Sequence, residues 1–520
     1  MSDKVEEIHK AFLGLAKRAE KVSTEILSET FVDTEPLIAV LKTHNNQILY
    51  GRRGTGKTHA LLYLSEQVKG VGDRPIYLDL RSIGSDGSIY NDPGRSVSER
   101  SVRLVVDVLS AIATELYSAA VEVIADSKHP EQLTNRLDDL DAAIGEVRIV
   151  GEIVAEERSK STSSGSSKAE IEGGIGSEGK TLKATLGVSR ERGDESERSR
   201  SASGREQFTL NFGRVQSALR GLLEIIGIEK LWVLVDEWSE VPLELQPYLA
   251  DLFRRTLLPI DRVVVKIAAI EHRSSFYLAK GRGEYVGMEL GADISTDLNL
   301  DDFLVFDNNQ EKAVNFFKRL LFRHIQVAAT AAGVNTPEEM VQAAFTQLPA
   351  FDELVKAAEG VPRDAINLAS KLAIKAWGRS VSIADVRAAA RDWYQQDKAA
   401  SVQSSAPLHI ALEYIVGEVI GTRKARAFLL KSNTRNETID RLFDARVLHV
   451  LKKNISSHDA PGERYDAFKI DYGCYVELVN TQKATSGLFE IDGGHTDVPV
   501  DDYRSIRRAI LDLDRLPAIV

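Results

Sequence analysis

Two short stretches of this sequence carry residue types that handle phosphate. The first is Gly51-Arg-Arg-Gly-Thr-Gly-Lys57-Thr58, which fills the pattern G-x-x-x-x-G-K-[ST] at every fixed position. Gly51, Gly54 and Gly56 let the backbone curl, so that amide N–H groups converge on phosphate oxygens. A helix opening near Lys57 adds the positive end of its dipole. The Lys57 ammonium then reaches the β- and γ-phosphates, and the Thr58 hydroxyl ligates magnesium. The expected nucleotide-contacting set is Gly51, Arg52, Arg53, Gly54, Thr55, Gly56, Lys57, Thr58 and the adjoining His59. ATP with Mg²⁺ is the expected ligand.

The second stretch is Leu231-Trp-Val-Leu-Val-Asp236-Glu237, an apolar run that ends in two carboxylates. In parallel sheets, ligands bind at the carboxyl ends of strands, so a terminal carboxylate is expected in the crevice by the phosphate loop. Asp236 is then suited, with Thr58, to the magnesium shell. Glu237 is suited to orient or deprotonate an attacking water. Each stretch alone has a plainer reading, a solvated glycine turn or a strand that reaches solvent. Together, in strand–loop–helix order, they favour nucleotide chemistry.

The surrounding pattern supplies the elements that must hold these groups. Gln47-Ile-Leu-Tyr50 reads as a strand leading into the loop, and 57–68 as the helix leaving it. Further strands are expected over 75–80, 231–235 and 263–270, separated by helices, which argues for a parallel sheet covered by helices. Residues 1–30 show helical spacing (Val5, Ile8, Phe12, Leu15). Ser96 and Glu99 have capping-box spacing before a long periodic helix, followed by a second helical run over 130–158. Residues 159–206 are mostly low-complexity. Within them Leu182, Ala184, Leu186 and Val188 alternate like a strand, so an exposed hairpin with 169–171 and plain disorder are both open. From 309 to 397 the pattern is helical, a linker is expected at 399–406, and helix and strand signals mix thereafter.

These residues resemble the AAA+ ATPases, particularly the prokaryotic origin-recognition-like branch. The glycine loop and the Asp236–Glu237 run carry the resemblance. So do Gly360-Val-Pro-Arg363 with the helical run that follows it, and the C-terminal segment. The resemblance implies an α/β fold: a P-loop parallel sheet sandwiched by helices, a helical lid and a C-terminal winged-helix-like domain. The implied organisation is an N-terminal helical segment 1–30, an ATPase domain 31–308 with an insertion at 128–206, a lid 309–398, a winged-helix-like domain 407–485 and a tail 486–520. Arg363 would be the lid arginine that contacts γ-phosphate, joining Glu237 and Lys57 as catalytic residues. Two departures stand out: about 180 residues separate the acidic pair from the loop, and the sensor-1 position offers Glu271-His272-Arg273-Ser274. Arg254, Arg255, Arg273 and Arg282 are all positional candidates for an arginine finger.

The 520-residue chain exceeds one core and suits about three domains. One cysteine, Cys474, rules out an internal disulfide and a multi-cysteine zinc site, and reads as a buried apolar residue. No apolar run is expected to span a membrane, and the polar start suggests a cytoplasmic protein. A net charge of −11 argues against a chain coated in nucleic acid. Yet Arg423, Lys424, Arg426, Lys431, Arg435, Arg441, Arg446, Lys452 and Lys453 form a local basic stretch. Duplex DNA contact through 408–480 and a protein-contacting winged helix therefore both remain open. Self-association and a separate effector protein are the other expected partnerships.

Overall fold

In the computed structural model, the described residues are 2–520 apart from 17, 35, 71, 84–89, 93, 126–129, 146, 151–155, 158–180, 187–199, 209–210, 282, 305, 307–308, 329–332, 423–424, 433–435, 457–461, 482–509 and 516–520. The fold is mixed α/β with a central parallel sheet flanked by helices, consistent with the AAA+ fold. We number the strands of that sheet β1 (Gln47–Tyr50), β2 (Asp73–Asp79), β3 (Lys230–Asp236), β4 (Val263–Ala269) and β5 (Ser295–Asn299), and their order is β5-β1-β4-β3-β2. The chain divides into two compact units: Met1–Lys69, Lys266–Ser274 and Ser295–Val520 form one, and Gly70–Val265 with Ser275–Ile294 the other.

In the first unit, β1 is parallel to β5 and to the second half of β4, with Gln47 opposite Lys266. The expected N-terminal helix is present as Ser2–Leu13. Its Ile8, Ala11 and Phe12 enter one core with Phe317, Leu321, Leu354, Leu368 and Leu372, far along the chain. That core belongs to a bundle of helices over Gln310–Ala328, Pro337–Ala344, Leu348–Ala358, Pro362–Lys375 and Ile383–Trp393. The stretch expected as a linker at 399–406 is instead helical through Gln403, because Lys398, Ala399 and Val402 are buried and order the backbone.

A second core follows, built on the helix Ala406–Ile415, the strand Ala427–Lys431, the helix Glu437–Asp444 and the antiparallel strands Leu448–Ser456 and Arg464–Ile470. Cys474 lies in the helix Tyr472–Asn480. Asp471 accepts from the Cys474 N–H, which ends the preceding strand and starts that helix. Cys474 itself is buried, and burial pushes its thiol up to about 12.

In the second unit, β2 and β3 pair in parallel, residue for residue from Asp73–Lys230 to Asp79–Asp236. Ser96 caps the helix Val97–Ile124, accepting from the Glu99 N–H at 3.2 Å. Contrary to the sequence expectation, this helix is long and apolar enough to cross a membrane by length and composition, although half of its apolar window is buried. Ser110, Thr114 and Ser118 interrupt the apolar run in the sequence, but each hydroxyl turns back to a carbonyl one turn earlier. Leu104, Val108, Leu109, Ile112 and Leu116 form its buried face. The second helix stops at Ile144, short of the expected 158, because Gly145 ends it and a strand Val147–Val150 begins. Strand Thr181–Leu186 pairs antiparallel with Arg200–Phe208, so Leu182, Ala184 and Leu186 of the alternating set lie in a strand; Val188 and residues 169–171 lie outside the described part.

Histidines give the first unit a pH dependence. His59 and His324 are held below their usual range by burial, and His324, with His59 nearby, is pushed down to about 4. The unfolded chain therefore binds more protons than the folded one as pH falls from about 6.5 toward 4, so stability is lost in that window. His324 alone should account for about 2–3 kcal/mol between pH 7.5 and 4.5. Urea denaturation of wild type and His324→Leu at both pH values checks this. A wild-type loss no larger than the variant's would contradict it.

Candidate functional site

The glycine loop joins β1 to the helix Lys57–Val68. Two glycines are required by backbone geometry. Gly54 has φ +90°, and a Cβ there would lie 2.9 Å from the Arg363 Cβ and 3.1 Å from a Val361 methyl. Gly56 has φ +100° and is the residue that caps the helix, a conformation L side chains rarely adopt. The Lys57 ammonium donates to the carbonyls of Gly51 and Arg52 at 2.7 and 3.0 Å, and Thr55 Oγ1 donates to the Arg52 carbonyl at 2.9 Å. Thr58 is half-buried at the first turn of the helix, and Arg53 is exposed. His59 turns its Nε2 to the Leu27 carbonyl at 2.8 Å and packs edge-on against Phe31. A carbonyl only accepts, so the His59 proton is on Nε2.

Arg363 stands directly on this loop. Its backbone N–H donates to the Gly54 carbonyl at 3.2 Å. It is the second residue of the helix Pro362–Lys375, with Pro at the first position, where a missing N–H costs nothing. Burial, and then the Arg446 guanidinium, work against its charge. Among the described residues its guanidinium makes no hydrogen bond or ion pair, so an anion would be its natural partner.

Asp236 and Glu237 belong to the second unit. Asp236 is fully buried at the end of β3. Its Oδ2 accepts from the Tyr77 hydroxyl at 2.7 Å and its Oδ1 from the Glu237 N–H at 2.8 Å. Burial, with the Asp236 charge, pushes the Tyr77 phenol far up, so Tyr77 acts as a fixed donor. Glu237 has φ +56°, a left-handed conformation that costs a non-glycine residue on the order of 1–3 kcal/mol. Trp238 holds that turn: it is fully buried, donates to Gln246 Oε1 at 3.1 Å and stacks on Phe276 at 4.8 Å. The Glu237 carboxylate lies 3.6 Å from the Arg81 guanidinium.

The open sensor-1 segment is engaged by the C-terminal elements of its own unit. Glu271 accepts from Asn299 Nδ2 at 3.1 Å and pairs with Lys453. His272 lies 3.4 Å from Asp440, and Arg273 3.6 Å from Asp444. Arg254 and Arg255 share Asp251, and Arg282 lies outside the described residues. Sequence reasoning did not find Tyr77, Asp301, Glu359, Lys398 or His449, whose partners are distant in the chain. Arg426 and Lys469 pair with buried Glu359, and Arg446 with Asp364 and Asp397. Arg446 and Arg426 are thus taken up internally rather than offered to phosphate. Of the other expected basic residues, Arg423, Lys424 and Arg435 are outside the described part, and Lys431 pairs with Glu463.

A family model described as ORC-CDC6-like matches residues 15–69, the segment that contains β1, the glycine loop and the helix after it. With the mixed α/β fold, this supports an ORC/Cdc6-like AAA+ assignment, a class of nucleotide-using ATPases. A search of curated proteins gives no match.

The loop residues fit a nucleotide. Two left-handed glycines shape the loop, a helix N-terminus closes it, and Lys57 and Thr58 stand at its end. Buried Asp236, held by two donors, has the chemistry of a magnesium-shell carboxylate.

Proposed function

We propose that the chain binds ATP with magnesium and hydrolyses it, acting as a switch. Nucleotide state passes through a helical lid, 309–398, to a winged-helix-like segment, 407–485, and controls self-association and the engagement of a partner protein. Lys57 and the loop amides hold the β- and γ-phosphates, and Thr58 and Asp236 hold magnesium. When bound, that ion neutralises charge that develops on the phosphates. Glu237 orients the water and takes its proton. A cytoplasmic setting is part of the same reading.

What carries the reading is Arg363. Its backbone is bonded to the loop at Gly54, while its half-buried guanidinium makes no hydrogen bond or ion pair among the described residues. A charge-assisted hydrogen bond to γ-phosphate is worth about 1.5–3 kcal/mol, or about ten- to a hundredfold in affinity. Arg363→Ala should therefore bind ATP and ADP alike where the wild type prefers ATP by that factor, as titration calorimetry would read. Equal preference in wild type and variant would remove Arg363 from the site.

The engagement of Arg426 and Arg446 in internal ion pairs favours a protein partner, either a second copy of the chain or a separate effector. Phosphate release measured with and without duplex DNA tests this choice. Stimulation by DNA would instead support contact through 408–480.

A further inference from the structure

The second residue of the glycine loop is held by the far end of the chain. Arg52 is only 4% exposed. Its Nε donates to Asp301 Oδ1 at 2.6 Å, and its backbone N–H to Oδ2 of the same carboxylate at 2.9 Å. Nη1 donates to His449 Nδ1 at 2.6 Å and lies 3.4 Å from the Leu448 carbonyl. Nη2 lies 3.4 Å from the Glu359 carbonyl, and the Phe443 ring sits 4.8 Å from the guanidinium carbon.

A guanidinium only donates, so His449 Nδ1 accepts and the ring proton is on Nε2, which donates to Asp471 at 3.1 Å. Burial keeps His449 neutral, holding it well below the usual histidine range. Asp471 pairs with Lys398 at 2.6 Å, and Lys398 with Asp364 at 3.0 Å, beside Arg363. Burial opposes both of these charges. Even so, Lys398 and Arg446 hold the Asp364 carboxyl below its usual range, and Asp364 and Asp471 hold Lys398 above its own. A continuous line of buried polar contacts thus leaves the loop, crosses the strand Leu448–Ser456 and returns to the loop-contacting helix. The Arg52 carbonyl meanwhile accepts from Lys57 and Thr55. One residue fixes the loop through its backbone and the C-terminal segment through its side chain.

We propose that Arg52 is a positioning residue that couples nucleotide affinity to the seating of segment 427–480 on the loop. The inference rests on the reading of Gly51–Thr58 as a nucleotide loop. A buried cation whose partners come from three segments is satisfied only when all three are in place. Coupling between sites is reciprocal, so whatever seating adds to nucleotide affinity, nucleotide adds to seating.

The test uses the full chain with the non-hydrolysable analogue AMP-PNP and magnesium. In wild type, nucleotide should slow amide exchange in the strands Leu448–Ser456 and Arg464–Ile470 about tenfold. Arg52→Gln should weaken AMP-PNP binding about tenfold, raise KM for ATP more than it lowers kcat, and abolish the nucleotide-dependent protection. His449→Leu, whose route to the loop is Arg52, should weaken binding similarly, and the double variant no further. Arg52→Lys keeps a buried cation and guards against misfolding; lacking the fork, it should still lose the protection. Wild-type affinity and protection in Arg52→Gln, or additive losses in the double variant, would overturn the proposal. Unchanged binding in Lys57→Ala would instead overturn the loop reading, and this inference with it.

Discussion

Replacing Glu237 by glutamine is expected to leave ATP binding within about twofold of wild type while slowing turnover by about 10²- to 10⁴-fold. The substitution is nearly isosteric, and the backbone that presents residue 237 is fixed by other groups. Its N–H is held by Asp236 Oδ1, and its left-handed turn by buried Trp238. The amide occupies the same place but cannot take a proton, so the loss should fall on kcat rather than on affinity. Single-turnover phosphate release, with calorimetric titration of ATP, separates the two. Wild-type kcat in the variant would exclude Glu237 as the base. The same protein serves for sedimentation with ATP and with ADP, and identical monomeric behaviour in both would exclude the self-associating switch.

Lys57→Ala should reduce ATP affinity by about 10²- to 10⁴-fold, the loss of two charge-assisted phosphate contacts at about 1.5–3 kcal/mol each. The ammonium is buried against the carbonyls of Gly51 and Arg52, so it is already positioned at the inner curve of the loop. Fold stability should change far less than affinity, since those carbonyls can be reached by water once the side chain is gone. Fluorescent-nucleotide titration, alongside a thermal melt without nucleotide, reads both. A collapse of the apo melt with residual affinity intact would make Lys57 a structural residue instead.

The sequence by itself determined the local chemistry. Glycines 54 and 56 are dictated by positive φ, Ser96 by the helix end it caps, and the apolar runs of β1, β3 and β4 by burial on both faces. These rules act within a few residues, so spacing was enough to read them. The linker expected at 399–406 failed for the converse reason: residues 400–403 are helical because of what packs on them from elsewhere.

Only the tertiary structure decided which charges meet. Lys266 lies within an apolar strand, and its ammonium is satisfied by the carbonyls of Thr43 and Asn45 and by Gln47, more than 200 residues earlier. Half-buried Arg446 and buried Arg426, legible only as part of a basic stretch, pair with the buried carboxylates of Asp364 and Glu359. Arg52, legible as a loop residue, reaches His449 across 397 positions. Burial makes an unpaired charge cost several kcal/mol, so each such residue must find a partner. Sequence spacing cannot say which one, because a long-range ion pair leaves no period in the chain.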